Sequence, residues 1–202
     1  MPIREFDTTA NRAYTLGALT TYRDARPISV WIMPAVVVMK TYAPIIFTLE
    51  SISMNETEFW KLISFIDIVA LDEGDEDAAV KPLKQALIGK SESELFEFEE
   101  QLSRQLYTID GEVFAKNAGE SGGSDDGFLY ARCYVVAKGL EFYETVKADP
   151  TKMPKSIQQW CEALLYPQRE VWAELMKSDP SEWPFSASVS YETASNPDLW
   201  SE

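Results

Sequence analysis

Hydrophobic and polar positions follow two different patterns along the chain, and the change comes near residue 53. Before that point, stretches at residues 13–22, 28–39 and 45–52 are rich in β-branched and aromatic residues and are separated by Pro, Gly and charged residues. This composition predicts β-strands. Pro34 lies inside the second stretch and therefore marks an edge, a bulge or a turn.

From Asn55 onward, apolar residues recur every three or four positions, which predicts helices. Asn55 and Glu58 have the spacing of a capping box at a helix start, and so do Ser91 and Glu94. Seven helical segments are predicted: residues 55–70, a segment that ends at Gly89, and residues 91–106, 112–117, 124–149, 156–165 and 169–176.

Residues 185–193 alternate apolar and polar side chains, which predicts a last strand that pairs with the N-terminal ones. The predicted fold class is therefore α+β and mainly α: a bundle of five to seven helices with a small antiparallel sheet. We expect a β-rich segment at 1–53 packed on a helical domain at 54–178, followed by a C-terminal extension at 179–202.

The charge of the chain is strongly negative. Among 202 residues there are 18 Lys plus Arg and 33 Asp plus Glu, a formal net charge of −15. Residues 1–53 hold five basic and four acidic residues, so the rest of the chain carries −16. Nucleic acids and anionic membranes are polyanions, so neither is an expected partner, whereas a basic protein is.

The chain lacks histidine, which excludes a Ser-His-Asp triad, a Cys-His pair and imidazole metal sites. We therefore predict no catalytic residue, no metal and no cofactor. Cys133 and Cys161 lie in apolar stretches, which is typical of reduced thiols in a core. The start has no signal-peptide pattern and the most apolar stretch is too short for a membrane helix, so we expect a cytoplasmic protein.

Acidic residues concentrate in two places, and they form the candidate partner-binding surface. Their side chains favour rapid association with a basic protein, although a solvated, solubilising face has the same composition. The candidate residues are Asp72, Glu73, Asp75, Glu76, Asp77, Glu92, Glu97, Glu99 and Glu100. Of these, Glu92, Glu97, Glu99 and Glu100 are expected to face outward from their helix.

A second candidate site lies at the start of the predicted helix 124–149. It consists of Ser124, Asp125, Asp126, Tyr130 and Arg132. In one interpretation Arg132 holds an anion or a carboxylate in a polar pocket. In the other, Ser124 caps the helix, the two aspartates complement its dipole, and one of them forms a structural ion pair with Arg132.

Several motifs in residues 55–176 are typical of one protein family. They are Phe59-Trp60-x-x-Ile63, Ser91-x-x-Glu94-Leu95-x-x-Phe98-x-x-x-Leu102, Ser124-Asp125-Asp126-Gly127-Phe128-x-Tyr130-x-Arg132, Lys138-Gly139-x-x-x-Tyr143-Glu144 and Asp149-Pro150. In these motifs the chain resembles DUF4240, a bacterial family of unknown function. The resemblance implies an all-helical module without established chemistry.

Three functional hypotheses follow. The first is a non-enzymatic acidic binding protein, such as an immunity-type inhibitor that masks the cationic cleft of a basic toxin. The second is a small-molecule enzyme or sensor centred on Asp125, Asp126 and Arg132. The third is a structural or oligomerisation module that uses the N-terminal strands as an edge. The sequence leaves the oligomeric state open.

Overall fold

The computed structural model describes residues 54–200, and this part of the chain contains eight α-helices. In chain order, α1 to α8 cover Glu56–Ile63, Ile68–Asp72, Glu76–Leu87, Glu92–Thr108, Glu112–Asn117, Asp125–Ala137, Leu140–Ala148 and Pro167–Met176. Short 3-10 turns lie at Gly119–Gly123, Pro150–Lys152, Glu162–Leu165 and Pro180–Glu182.

The predicted α+β class is wrong, because residues 54–200 contain helices and no β-strand. The strand predicted at 185–193 is an irregular segment with bends at 188–189, and it belongs to no sheet. The strands predicted at 13–22, 28–39 and 45–52 lie outside the described residues. The all-helical architecture that the family resemblance implied therefore holds for this part of the chain.

Residues 183–200, here named the C-terminal strap, lie against the helices as an irregular segment with bends at 188–189 and turns at 193–194 and 197–199. Trp183, Phe185, Val189 and Tyr191 are partly buried, while the residues between them are mostly exposed. An extended backbone has a side-chain period of two whether or not it pairs with another strand. The alternation of partly buried and exposed side chains is present, but the predicted strand and its sheet are wrong.

The capping boxes explain where two helices begin. The Asn55 side chain accepts the Glu58 N–H at the start of α1, and Glu58 reaches back to the Asn55 N–H. Ser91 and Glu94 make the same reciprocal pair at the start of α4. Both predicted boxes are confirmed.

Two of the predicted helices are each divided in two, which accounts for the higher helix number. After α1 ends at Ile63, the Asp67 side chain accepts the N–H groups of Val69 and Ala70 and starts α2. Gly139 separates α6 from α7 with a φ of 89°, a conformation that favours glycine. Residues 156–165, predicted as a helix, contain only the 3-10 turn Glu162–Leu165.

The hydrophobic core forms around α4, which packs against α1, α6 and α8. The predicted stripe of α4, comprising Leu95, Phe98, Leu102 and Leu106, is fully buried. The Phe98 ring lies 5.3 Å from that of Phe59 on α1. Burial of each such side chain contributes about 1.5–3 kcal/mol. α3 and α8 also pack together, and Lys84 of α3 reaches two glutamates of α8.

Candidate functional site

The start of α6 has the capping geometry that one interpretation of the sequence predicted. Ser124 Oγ accepts the Gly127 N–H at 3.1 Å, and a Cβ at position 127 would lie 2.7 Å from that oxygen. Glycine is therefore needed in this first turn. Asp125 and Asp126 are exposed in the same turn, where they complement the helix dipole. A small cleft of about 270 Å³ lies beside Ser124 and Asp125.

Arg132 does not bind either aspartate side chain. It is 0% exposed, and its guanidinium donates to the carbonyl of Leu106 at 3.0 Å and to Thr193 Oγ1 at 3.1 Å. Thr193 donates in turn to the backbone carbonyl of Asp125. The structure thus brings Arg132 and the α6 start to the same threonine, which lines the cleft, but Arg132 itself is not a lining residue.

The partner of Arg132 is Asp110, a residue that sequence reasoning missed. Its carboxylate is buried and lies 3.7 Å from the guanidinium. It also accepts the successive N–H groups of Ala194, Ser195 and Asn196. We name this arrangement the Asp110 clasp. No local pattern could have indicated it, because its donors are more than 80 positions away.

Two glutamates of the predicted acidic face on α4 bind other parts of the chain. Glu92 accepts the indole N–H of Trp172 at 3.0 Å. Glu97 accepts the backbone N–H of Met54 at 2.6 Å. Both carboxylates are partly buried, so neither projects freely into solvent.

The two remaining α4 glutamates hold α8 and the strap. Glu99 was expected to face outward, but it is only 3% exposed and binds Arg169 at 2.6 Å. Its other carboxylate oxygen accepts from Gln168. Glu100 accepts both the N–H and the hydroxyl of Ser188. This part of the predicted surface is thus largely occupied by intramolecular contacts.

Some of the acidic residues at 72–77 bind other parts of the chain. The Asp72 carboxylate binds Lys138 Nζ at 2.8 Å and accepts from the Tyr134 hydroxyl at 2.7 Å. The hydrogen bond from Lys138 lowers the pKa of Asp72 most, and the one from Tyr134 lowers it further, although burial acts in the opposite direction. Burial and the contact with Asp72 raise the pKa of Tyr134 to about 12.

The remaining residues of this stretch divide into two groups. Asp75 caps α3, and Glu76 accepts the backbone N–H of Ala163 at 2.8 Å. Glu73 and Asp77 are exposed and have no side-chain partner in residues 54–200. Because Ala163 directly follows Glu162, the Glu76 contact joins the acidic stretch to the 3-10 turn before α8.

A cluster of tyrosines and carboxylates lies beside this junction. We name it the tyrosine–acid face and define it by Asp126, Tyr130, Glu162, Tyr166 and Glu192. The Tyr166 hydroxyl donates to Glu162 at 2.6 Å, and the Tyr166 side chain is 42% exposed. Burial, and then the charges of Glu162 and Asp126, raise the pKa of Tyr130. The face therefore unites two residues of the predicted polar site with acids that the sequence did not single out.

Glu192 lies between Tyr191, whose hydroxyl accepts from Arg169, and Thr193, whose hydroxyl donates to the carbonyl of Asp125. Burial is the main reason why the pKa of the Cys133 thiol is raised, and the carboxylates of Glu76, Glu162 and Glu192 raise it further. The contacts of Tyr191 and Thr193 therefore hold Glu192 between α8 and the start of α6. The signal that could have located this face is the density of tyrosines near acids, rather than an acidic run.

A separate groove of about 1210 Å³ lies between α1, α3 and α4. Its described walls are mainly apolar and include Leu62, Phe65 and Pro82, with Lys61 and Lys81 at positions where they reach solvent. None of the residues of the candidate polar site line it, and Glu97 is its only described member from the predicted acidic face.

The described residues offer little for metal or thiol chemistry. Within residues 54–200, no group of three or more Cys, Asp and Glu side chains is placed to hold a metal ion. Cys133 and Cys161 are unpaired and buried, and burial raises the pKa of both thiols. None of the helices in this range is long and apolar enough to cross a membrane.

The all-helical body and its motifs place the chain in a known class. The family model described as "Protein of unknown function (DUF4240)" matches residues 54–185, and the chain therefore belongs to this family. The match includes α1 to α8 and ends inside the C-terminal strap. No curated protein and no solved structure matches the chain.

Proposed function

We propose that the chain is a non-enzymatic protein-binding protein that uses an acidic surface to bind a basic protein. The observation that carries this proposal is the tyrosine–acid face. None of its carboxylates takes part in an ion pair within residues 54–200. Its negative charge is therefore free for a cation of a partner.

The side-chain chemistry of the face suits arginine and lysine. Tyrosine rings attract cations over their faces, and a carboxylate binds guanidinium with two parallel hydrogen bonds. Tyr166 and Glu162 place both groups side by side. Tyrosine is also enriched among the residues that dominate binding energies at protein interfaces.

The acidic stretch at 72–77 extends this surface. Glu76 binds the N–H next to Glu162, and Glu73 and Asp77 project from the same region into solvent. A net charge of −15 supports rapid association with a cationic surface through long-range attraction. We propose the stretch as the outer part of the contact, and the glutamates of α4 as a minor part because their bonds are intramolecular.

The concrete form that we propose is an immunity-type inhibitor that covers the cationic cleft of a basic toxin. Such an inhibitor needs a stable acidic surface and no catalytic group. The small-molecule alternative loses its main support, because Arg132 is buried against Asp110 rather than open to a ligand. The oligomerisation alternative depends on residues 1–53, which lie outside the described part.

The test is a capture experiment with the full chain immobilised in a lysate of its host, at 0.05 and 0.3 M salt. We expect one strongly basic protein to be retained at low salt and weakened at high salt. A variant with Glu73→Gln, Asp77→Gln and Glu162→Gln should lose most of this binding, because it removes two exposed acids and the partly buried Glu162 from the proposed surface.

The matched control carries Glu120→Gln, Glu141→Gln and Glu144→Gln, which changes the net charge by the same amount at other exposed positions. It should retain the partner. Equal loss in both triple variants would show that net charge alone drives capture, and equal retention would place the contact elsewhere. Either result contradicts the proposed surface.

A further inference from the structure

The C-terminal strap is held to the helices by polar contacts and by a few aromatic ones, in which Trp183 and Phe185 pack on Phe96. Glu100 accepts the Ser188 N–H at 2.7 Å, and Arg169 donates to the Tyr191 hydroxyl at 2.9 Å. The Asp110 clasp holds the following turn. Within the described residues, one backbone–backbone hydrogen bond joins the strap to a helix, from the N–H of residue 112 to the carbonyl of residue 199.

The contact between the strap and the helices is incompletely satisfied. The buried side-chain atoms without a hydrogen-bond partner in residues 54–200 are Ser103 Oγ, Arg132 Nε, Gln168 Oε1, Arg169 Nε and Trp183 Nε1. Trp183 belongs to the strap, Arg132 and Arg169 bind it directly, and Gln168 shares Glu99 with Arg169. A buried polar atom without a partner opposes the docked state.

Buried charges under the strap also oppose the docked state. The side chains of Glu99, Asp110 and Arg132 are almost completely excluded from solvent. Removing charges from water is costly even when they are paired, and that cost is recovered when the site opens. Opening the strap is therefore cheaper than unfolding the apolar core around α4.

The connection to α8 allows the strap to move as one piece. α8 ends at Lys177, which has a left-handed φ of 55°, and Pro180 and Pro184 follow before the strap contacts begin. Between this connection and residue 200, the 3-10 turn Pro180–Glu182 is the only helical element. No α-helix has to unwind when the strap leaves.

We infer that the C-terminal strap opens and recloses as one unit while the helices stay folded, and that its docking completes the tyrosine–acid face. The strap carries Glu192, one of the five residues of that face, and Tyr191, whose hydroxyl binds Arg169. The consequence for binding rests on the proposed function: the affinity for a basic partner falls in proportion to the fraction of molecules with an open strap.

The test is amide hydrogen exchange, followed by NMR on the full free chain. The N–H groups of Ser188, Ser195 and Asn196 report the docked strap, because each is bound to a carboxylate of the helical body. We expect them to exchange with one common opening equilibrium, faster than the amides of α4. The Glu100→Ala variant should accelerate all three by about tenfold, although Glu100 touches only Ser188 among them.

A second variant loosens the other end of the strap. Thr193→Val removes the hydroxyl that Arg132 binds, and it should accelerate exchange at Ser188 as well as at Asn196. Glu144→Ala on α7 is the matched control and should leave the strap amides unchanged. Acceleration confined to the altered contact, or spread equally through α4, would overturn the inference. Because no partner is present, failure to find a basic partner would count against the proposed function alone.

Discussion

At the residue scale, the buried pair of Arg132 and Asp110 joins α6 to the segment between α4 and α5. Neither side chain is exposed, and their nearest charged atoms are 3.7 Å apart. A buried pair adds little net stability, but removal of one partner leaves an uncompensated charge in the interior. The pair therefore makes the Asp110 clasp sensitive to single substitutions.

We predict that Arg132→Met and Asp110→Asn each lower the free energy of unfolding by about 3–5 kcal/mol. The double variant should cost less than the sum of the two, because no unpaired charge remains. Urea unfolding at pH 7 measures all three. Lys147→Met, which removes an exposed pair with Glu144, serves as the control and should cost under about 1 kcal/mol. Strict additivity of the two buried substitutions would contradict the prediction.

At the scale of the element, the start of α4 depends on a carboxylate. Hydrogen bonds from Lys90 and from the backbone and side chain of Ser91 lower the pKa of Glu94 from 4.5 to about 2. The charged form is therefore favoured in the folded protein. Its stabilising effect is complete above the ordinary pKa and is lost as the pH falls from about 4.5 to about 2.

We predict that Glu94→Gln lowers stability at pH 7 and that the difference from the parent chain disappears as the pH approaches 2. The effect at pH 7 should be about 0.5 kcal/mol, because the side chain is 36% exposed and solvent screens its charge. Urea unfolding at several pH values measures it. Glu141→Gln on α7 provides the comparison. An effect of Glu94→Gln on stability that stays constant with pH would contradict the prediction.

The elements also show what the sequence could predict. The capping boxes at Asn55 and Ser91 and the buried stripe of α4 depend on residues close in sequence, and the structure confirms them. The error at residues 185–193 came from a pattern that reports alternating burial, which an irregular segment lying on the helices also produces. The Asp110 clasp and the buried position of Glu99 depend on residues far apart in the chain, which a local pattern does not reveal.

The candidate sites follow the same division. Ser124 caps α6 as its position predicted, whereas Arg132 turned out to face Asp110. The tyrosine–acid face combines residues from α6, the turn before α8 and the strap, so only the folded chain brings them together. Acidic runs in the sequence indicated the sign of the surface charge more reliably than its location.

At the scale of the whole molecule, the excess of acidic residues opposes compactness. A net charge of −15 produces repulsion among carboxylates, and salt screens it. The Debye length falls from about 30 Å at 0.01 M salt to about 10 Å at 0.1 M. Ion pairs also weaken as the salt concentration rises over this range. Most of those in the described residues are at least partly exposed and therefore contribute little to stability.

We predict that raising NaCl from about 0.01 to 0.1 M increases the thermal midpoint by about 2–4 °C, the equivalent of ~1 kcal/mol. Differential scanning calorimetry measures the shift. The triple variant Glu73→Lys, Glu120→Lys and Glu141→Lys adds six charge units and brings the net charge from −15 to −9. It should show a smaller shift. A midpoint that falls with salt would mean that attractive pairs dominate.

The two buried thiols allow opening of the described part of the chain to be measured by chemical modification. Cys133 and Cys161 are fully enclosed, and burial keeps both in the unreactive protonated form. An alkylating reagent can reach them only in molecules whose interior has opened. The rate at which the reagent consumes the thiols therefore measures how often α6 and the adjoining turn leave the native state.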